Sequence, residues 1–490
     1  MEIKRTLFEY LYENLKEQIL NGYLQYGEKL PSMSQISEVY HVGIRTVREV
    51  LHALKAEGLI LTEERRPAVV IYRLPEEEKK EWVVKAVLER KESILEVYET
   101  MYLLMPILFA FSASVCSIET LERCFCQLRK SSRKPLAVRW KASASALHAL
   151  LDASGNRIFR DVFTSLELGA RVPFFLEHRK AESFTDSYEI YKDPMWMYEA
   201  VRTENPEEIR RRFRTMYRSV ADDVKMYLNE ISGKASSPVI YKKECYSWNA
   251  ERSRDQYYMQ IARDLIDRIG LGEYKDGTFL PSEKVLADRY GVSVSTIRRA
   301  ISLLNKTGFC RTYNVKGTQV TLFNHTATQQ CMKDKERKED TLIYLSGLQL
   351  MAIAVRPAAC IAAERILQGE LEEIQEKVQR SETIPLAVLI RVIIDHIPLK
   401  PYKIILKEVS EILHWGYYFS FFSEGARGGN KLNNMSLEAF EYLRSGRNEE
   451  FGDQMSLCYS HILEMVRDHI VNYGLPEAGR LAVPDLNIFQ

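Results

Sequence analysis

Nothing in this 490-residue chain marks it for export. Its opening residues, Met1-Glu-Ile-Lys-Arg-Thr, lack the apolar stretch of a signal peptide, so a cytoplasmic location is expected. An excess of either charge is missing too. The chain carries 68 Lys and Arg against 67 Asp and Glu, a net charge of +1. Binding nucleic acid through bulk charge is thereby excluded, while a local basic face is not. Cysteine is scarce: eight residues, with no Cys-x-x-Cys pair, and Cys124 and Cys126 stand one residue too close for one. That excludes a disulfide framework and a zinc ribbon, and free thiols are expected. The longest apolar run, Met101 to Cys116, contains Pro106 and falls short of the ~20 residues that span a bilayer, so it reads as a core helix rather than a membrane anchor. Gly-rich phosphate loops, Gly-x-Ser-x-Gly elbows and paired metal motifs are absent. No catalytic residue and no cofactor are expected, and the chain does not read as an enzyme.

What is present is a second copy of the same pattern. Hydrophobic residues make up 46% of the chain, an ordinary globular share, and the length exceeds what one core serves, so several domains are expected. Leu30-Pro31-Ser32 returns as Leu280-Pro281-Ser282, and Thr46-Val47-Arg48 returns as Thr296-Ile297-Arg298. The offset holds at 250 without a gap from Phe8/Tyr258 to Tyr72/Leu322. A period this long is a duplicated module rather than a solenoid.

Each copy reads alike. Leu11, Leu15 and Ile19, or Ile261, Leu265 and Ile269, recur at helical spacing and predict a first helix over about 8–21 and 258–270. Leu-Pro-Ser opens a second helix with Ser as its N-cap. A short turn leads to a third helix over about 44–57 and 294–307, closed by Gly58 or Gly308. Strand, turn and strand follow, at Leu59–Glu63 with Val69–Tyr72 and at Phe309–Tyr313 with Thr318–Leu322. This order predicts a mainly α chain with two winged helix-turn-helix domains, each with a small β-hairpin wing and each followed by an all-helical bundle.

The pattern Gly-x-x-x-x-Gly-x-x-Leu-Pro-Ser, then Val-x-x-x-Thr-(Val/Ile)-Arg, then Leu-x-x-x-Gly-(Leu/Phe) resembles the GntR family of bacterial transcription factors. The resemblance implies a double-stranded DNA operator as partner. A third helix of this type enters the major groove by its N-terminal end. The candidate DNA-binding residues are Ser32, Arg45, Thr46 and Arg48 in the first copy. In the second they are Ser282, Lys284, Ser293, Ser295, Thr296, Arg298 and Arg299, with Lys316, Gly317 and Thr318 in the wing. Arg reaches guanine or phosphate, Thr a base or phosphate, and the serines offer backbone N–H groups to phosphate. The wing tips reach toward the minor groove.

The copies depart from the family unequally. Its recognition helix starts with Arg where Ile44 and Val294 stand here, and it favours Arg where Ser34 and Lys284 stand. Its wing turns on Gly-x-Gly-Thr; the second copy keeps Lys316-Gly317-Thr318, the first reads Arg66-Pro67-Ala68. Residues 1–75 carry ten basic and ten acidic side chains, whereas residues 255–325 carry ten and seven, a net +3. Because phosphate contacts supply much of non-specific affinity, the second copy is expected to be the stronger reader, with the two copies preferring unequal half-sites.

The expected domains are 1–75 and 257–323 as winged helices, 81–233 and 341–475 as helical domains, and 234–256 as linker. Residues 324–340 read as a connector and Pro476 to Gln490 as a tail. Leu147-His148-Ala149-Leu150-Leu151-Asp152-Ala153-Ser154-Gly155-Asn156 resembles the FCD effector domain of the FadR-type branch; 341–475 resembles it only faintly. Many such domains hold a metal with one Asp and three His. At those spacings stand Ala144, His148, the neighbourhood of Pro194 and that of Ser219, so no metal is expected. Arg139, His148, Asn156 and Arg171 are the candidate liners of a small-molecule effector pocket. The reading is of a single-chain pseudo-dimer whose helical domains pack on each other, with association of two chains left open. The competing reading is a scaffold with a degenerate first DNA-binding domain that works through a partner. Operator, effector and direction of regulation are not legible.

Overall fold

The repeat in sequence becomes a repeat in backbone hydrogen bonds. The computed structural model describes residues 7–20, 24, 26–40, 42–63, 66–73, 84–85, 87–170, 193–233, 246–248, 257–270, 273–321, 335–379, 384–413, 429–472 and 474–489. The first copy forms α1 (Leu7–Leu20), α2 (Met33–Tyr40), α3 (Ile44–Ala56), β1 (Ile60–Leu61) and β2 (Val69–Val70). Leu11, Leu15 and Ile19 of α1 are buried against Val47, Val50 and Leu54 of α3, with Ile36, Leu59 and Val70 closing the core. Full burial of each such side chain stabilises by roughly 1.5–3 kcal/mol. Gly58 turns the chain out of α3 at φ +72°, a conformation that only glycine adopts without strain.

Lys29 bridges to Val69 and makes a third short strand, fixed by Gly27 N–H to Val70 O at 2.9 Å and Leu30 N–H to Ala68 O at 2.8 Å. The second copy repeats this at Phe279 and Gln319, with Gly277 N–H to Val320 O at 2.9 Å and Leu280 N–H to Thr318 O at 2.8 Å. One bridging residue gives no period-2 pattern, so the sequence reading missed this strand.

The wings differ in length. In the first, Ile60 pairs with Val70 and Leu61 with Val69, and the ladder stops. The next rungs would need Pro67, which has no N–H to donate. Hence β1 stops at Leu61, short of the expected 59–63, while β2 begins at Val69 as expected and ends at Val70 rather than Tyr72. In the second copy α11 (Tyr257–Gly270), α12 (Glu283–Tyr290) and α13 (Val294–Thr307) lead to β3 (Cys310–Tyr313) and β4 (Gly317–Val320), which pair over four rungs from Cys310↔Val320 to Tyr313↔Gly317.

Between the copies lie α4 (Lys91–Ser114), α5 (Ile118–Cys124), α6 (Cys126–Lys130), α7 (Leu136–Ala153), α8 (Phe159–Gly169), α9 (Met195–Val201) and α10 (Pro206–Gly233). After the second copy come α14 (Lys335–Ala363), α15 (Gln368–Gln379), α16 (Pro385–His396), α17 (Lys400–Leu413), α18 (Gly429–Arg444) and α19 (Asn448–Asn472). The charged stretch before residue 341, expected as a connector, is helical from Lys335; Lys, Glu and Arg are all good helix formers.

The chain divides into two compact units. One comprises Met1–Met101, Thr164–Lys192 and Thr215–Arg254, the other Tyr102–Phe163, Asp193–Arg214 and Asp255–Gln490. Within the first, Tyr98 donates to Ala170 O at 3.1 Å and Gly169 packs on Val97 and Tyr246. Within the second, Phe109 is held between Phe163 and Phe213, at 5.4 and 4.7 Å between ring centres. Lys91–Ser114 and Lys338–Ala363 are long and apolar enough to cross a membrane, but their apolar stretches are 72% and 78% buried inside the protein, as core helices are.

The second unit also holds a close crossing. α14 runs through Pro357, and α19 lies against it at Gly452. A Cβ added at Gly452 would stand 2.9 Å from both the Arg356 carbonyl oxygen and Cys360 Sγ. Alanine is the better helix former by about 1 kcal/mol, yet the obstacle is backbone. Gly452→Ala is therefore expected to lower Tm, with overpacking of about 1–3 kcal/mol outweighing propensity. A thermal melt checks the sign.

The stretch from Pro476 to Phe489, part of the expected tail Pro476 to Gln490, is instead packed. Two 3-10 turns, Pro476–Arg480 and Leu486–Ile488, bury Leu475, Ala478, Leu481 and Ile488. Ser460 donates to Pro484 O at 3.0 Å, Gln349 to Ala482 O at 2.6 Å and Arg210 to Ile488 O at 2.7 Å. The apolar residues follow neither a helix nor a strand period, which is why the segment reads as a tail.

Candidate nucleic-acid interface

Each recognition helix presents its N-terminal end outward, and the two ends are built differently. In the second copy Ser293 caps α13, accepting from Thr296 N–H at 3.3 Å, with its hydroxyl 2.7 Å from that of Ser295 and 2.9 Å from that of Thr296. In the first, Gly43 takes that place without a side-chain cap. At the second helix the order reverses. Ser32 accepts from Gln35 N–H at 3.3 Å while its own N–H donates to Gln35 Oε1 at 2.9 Å, a reciprocal capping box. A phosphate reaching Ser32 N–H must displace that glutamine. At +250 Gln35 is Val285, and Ser282 caps α12 through its hydroxyl alone.

The arginines differ as well. Arg45 Nε lies 3.0 Å from Glu49 Oε1, one turn along α3. Arg48 is exposed and forms no ion pair among the described residues. Arg298 Nε lies 2.7 Å from Glu283 Oε2 and so ties α13 to α12. The Arg299 guanidinium sits 5.3 Å over the Tyr258 ring of α11. At the 250 offset, Glu283 answers to Met33, Arg299 to Glu49 and Ser295 to Arg45. The first face therefore carries Arg45, paired with Glu49 on its own helix, with exposed Met33 and Ile44, and the second carries Arg298, paired across to Glu283 of α12, beside Arg299 and Lys284.

Below these helix ends, Tyr40 and Tyr290 anchor the second helix to the first in both copies. Tyr40 accepts from Gln18 Nε2 at 2.7 Å, and Tyr290 donates to Asp264. In the first copy Tyr12 and Lys16 of α1 also bind Glu57 at the end of α3, and the Lys16 ammonium and then the Tyr12 hydroxyl hold that carboxyl below its usual range. Buried Ala262 and Ile266 occupy the Tyr12 and Lys16 places in the second.

In the wing, Lys316 and Gly317 are exposed, but Thr318 is 7% exposed, and its hydroxyl lies 3.0 Å from that of Thr312. It braces the hairpin rather than facing outward. The sequence reading passed over Val315, Arg311 and Phe279, which are exposed on this wing. The signal for Val315 was there: it stands where the family turn has its first glycine.

Three of the four pocket candidates lie among the described residues, and each has neighbours of its own. Arg139 pairs with Asp193. The His148 ring lies 4.8 Å from that of Phe163. Asn156 is occupied structurally. Its Oδ1 accepts from Ile158 and Phe159 N–H at 2.8 and 3.1 Å, and its Nδ2 donates to Ser346 O and Gln349 Oε1 at 2.9 and 2.8 Å. Arg171 lies outside the described residues. Among the described residues no three His, Cys, Asp or Glu side chains converge as a metal set.

Three helices, a hairpin wing and an outward, polar recognition-helix end, built twice, define winged helix-turn-helix domains of the DNA-binding class. Comparison with known proteins gives them a family. The family described as "Bacterial regulatory proteins, gntR family" matches at residues 7–70 and again at 257–320, so the chain carries two domains of that family. The HTH-type transcriptional regulator LutR of Bacillus subtilis (strain 168) is 31% identical over 115 residues, 23% of this chain and 51% of that protein. The uncharacterized HTH-type transcriptional regulator YieP of Escherichia coli (strain K12) is 29% identical over 112 residues, 22% of this chain and 49% of that one. The chain thus spans about half the length of the curated relatives it matches. A solved structure of Streptococcus agalactiae GntR aligns at 18% identity over 43% of this chain and 99% of that one, with a TM-score of 0.21.

Proposed function

We propose that this chain is a cytoplasmic, DNA-binding transcription regulator in which one polypeptide supplies both winged helices to an operator. One observation carries the reading. The same backbone hydrogen-bond pattern recurs 250 residues on, with different outward side chains. The operator then has two half-sites that need not match. Residues 1–75 and 257–323 are the readers, and the helical segments 81–233 and 341–475 stand where effector domains would, joined through Asn156. Control by a small molecule in those segments belongs to this proposal, and the reading involves no catalysis.

Selection of purified protein on random-sequence duplex DNA tests it. Enrichment of one duplex with two unequal half-sites and a steep salt dependence is expected. Two identical half-sites would sink the unequal reading.

A second reading has its own support. Arg45 has Glu49 as a neighbour on its own helix, Ser32 N–H is taken by Gln35, and Pro67 shortens the first wing. All three weaken the first copy as a reader and favour a protein that acts through a partner there. Arg48→Ala separates the two. A loss of about 3-fold or more on the selected duplex keeps the first copy as a reader; unchanged binding assigns it to the partner.

A further inference from the structure

We propose that Val315 is an apolar wedge which the second wing sets against the DNA minor groove at a deformable base step. The inference rests on the DNA-binding reading above.

Val315 has φ +70°, the left-handed region, where a β-branched residue is a true outlier. Its side chain is 108% exposed, so no packing within the described residues compensates the strain. A valine at such a turn gains nothing for the folded chain that glycine would not supply better. Strain held without internal compensation points to a contact outside the chain.

The surroundings name that contact. Lys316 follows Val315 and is exposed. On β3 the Arg311 guanidinium lies 5.4 Å over the Tyr313 ring. Across the turn Gly317 leaves room for the Phe279 ring, 3.6 Å from where a Cβ would stand, and Phe279 is 44% exposed. An apolar tip with Lys316 beside it and Arg311 farther down the same hairpin matches a groove with phosphate rims and apolar sugar walls. Proteins that insert apolar residues into the minor groove unstack and kink the duplex there, most easily at pyrimidine–purine steps. The first copy has Arg65 at the equivalent position and Pro67 two residues on. The second half-site is thus read partly through DNA shape, the first without such a wedge.

Two variants test the wedge on the full-length protein, with the duplex recovered by selection as probe. Val315→Gly relieves the strain, and Val315→Asn accepts the left-handed backbone while replacing the apolar group by a polar one. Val315→Gly should raise Tm by a few degrees. Both variants should bind the selected duplex about 10-fold more weakly, bend it less in a phasing assay, and keep the wild-type salt slope, because no charge is lost. A higher Tm with unchanged affinity and bend would overturn the proposal and leave Val315 a tolerated turn residue. Arg298→Ala in the same assay reports on the DNA reading itself. If wild-type protein enriches no duplex, that reading fails and the wedge with it; if Arg298→Ala weakens binding while the Val315 variants do not, the wedge alone fails.

Discussion

Asn156→Leu should lower the stability of the second compact unit by about 3–5 kcal/mol, a fall in Tm of roughly 10 °C. The side chain is 4% exposed and satisfies four groups at once. It caps α8 through two backbone N–H groups and ties that end of the helix to Ser346 and Gln349 of α14. Leucine matches its size and leaves all four partners buried without it. Each unsatisfied buried group costs about 1–3 kcal/mol, and shared relaxation keeps the total below the sum. Asn205 is the control. It caps α10 with Oδ1 at 3.0 and 3.3 Å from Glu207 and Glu208 N–H, but at an exposed site, so Asn205→Ala should cost only about 1 kcal/mol. Calorimetry on the two variants decides. Equal losses would mean that the link to α14 adds nothing beyond the cap.

Arg298→Ala should weaken binding to the selected duplex by about 10- to 100-fold, the range expected for losing one well-placed arginine contact to a base. Glu283 holds Nε at 2.7 Å, which leaves the two terminal nitrogens of the guanidinium for guanine or phosphate. Glu283→Gln should act differently. It removes both the brace and a negative charge from the DNA face, so non-specific binding rises while preference for the selected duplex falls about 3- to 5-fold. A titration of each variant against selected and scrambled duplex separates the effects. An Arg298→Ala protein that keeps wild-type affinity and preference would make the ion pair purely structural. The salt series adds a second distinction: a lost phosphate contact lowers the slope by about 1, a lost base contact hardly changes it.

Much of this is legible in the sequence alone, because the winged helix is specified locally. Leu-Pro-Ser sets one helix start, Gly308 at φ +82° ends another, and buried residues at helical spacing orient α1 and α3. The 250-residue offset did the rest by letting each copy check the other. What stayed hidden depends on partners far away in sequence. Thr318 matches the family wing, but only the ladder shows its hydroxyl turned toward Thr312. Glu283 and Arg298 stand 15 residues apart on two helices, so no single-helix spacing rule pairs them. Asn156 read as a polar pocket liner because its partners lie 190 and 193 residues downstream. The packed segment after Leu475 follows no regular period, and only its buried positions reveal it.

That packed segment also bears on how the protein is made. The first winged helix takes all its core residues from a short local stretch and can form as soon as that stretch leaves the ribosome. The helical pairing cannot. Asn156 meets Ser346 only 190 residues later, and Arg210 reaches the Ile488 carbonyl across 278 residues. At ordinary synthesis rates of about 5–20 residues per second, the start of α10 waits roughly 15–55 s for that partner. During this interval apolar surface destined for the finished unit stays open to chaperones and proteases, and slowing translation between the two halves would lengthen it.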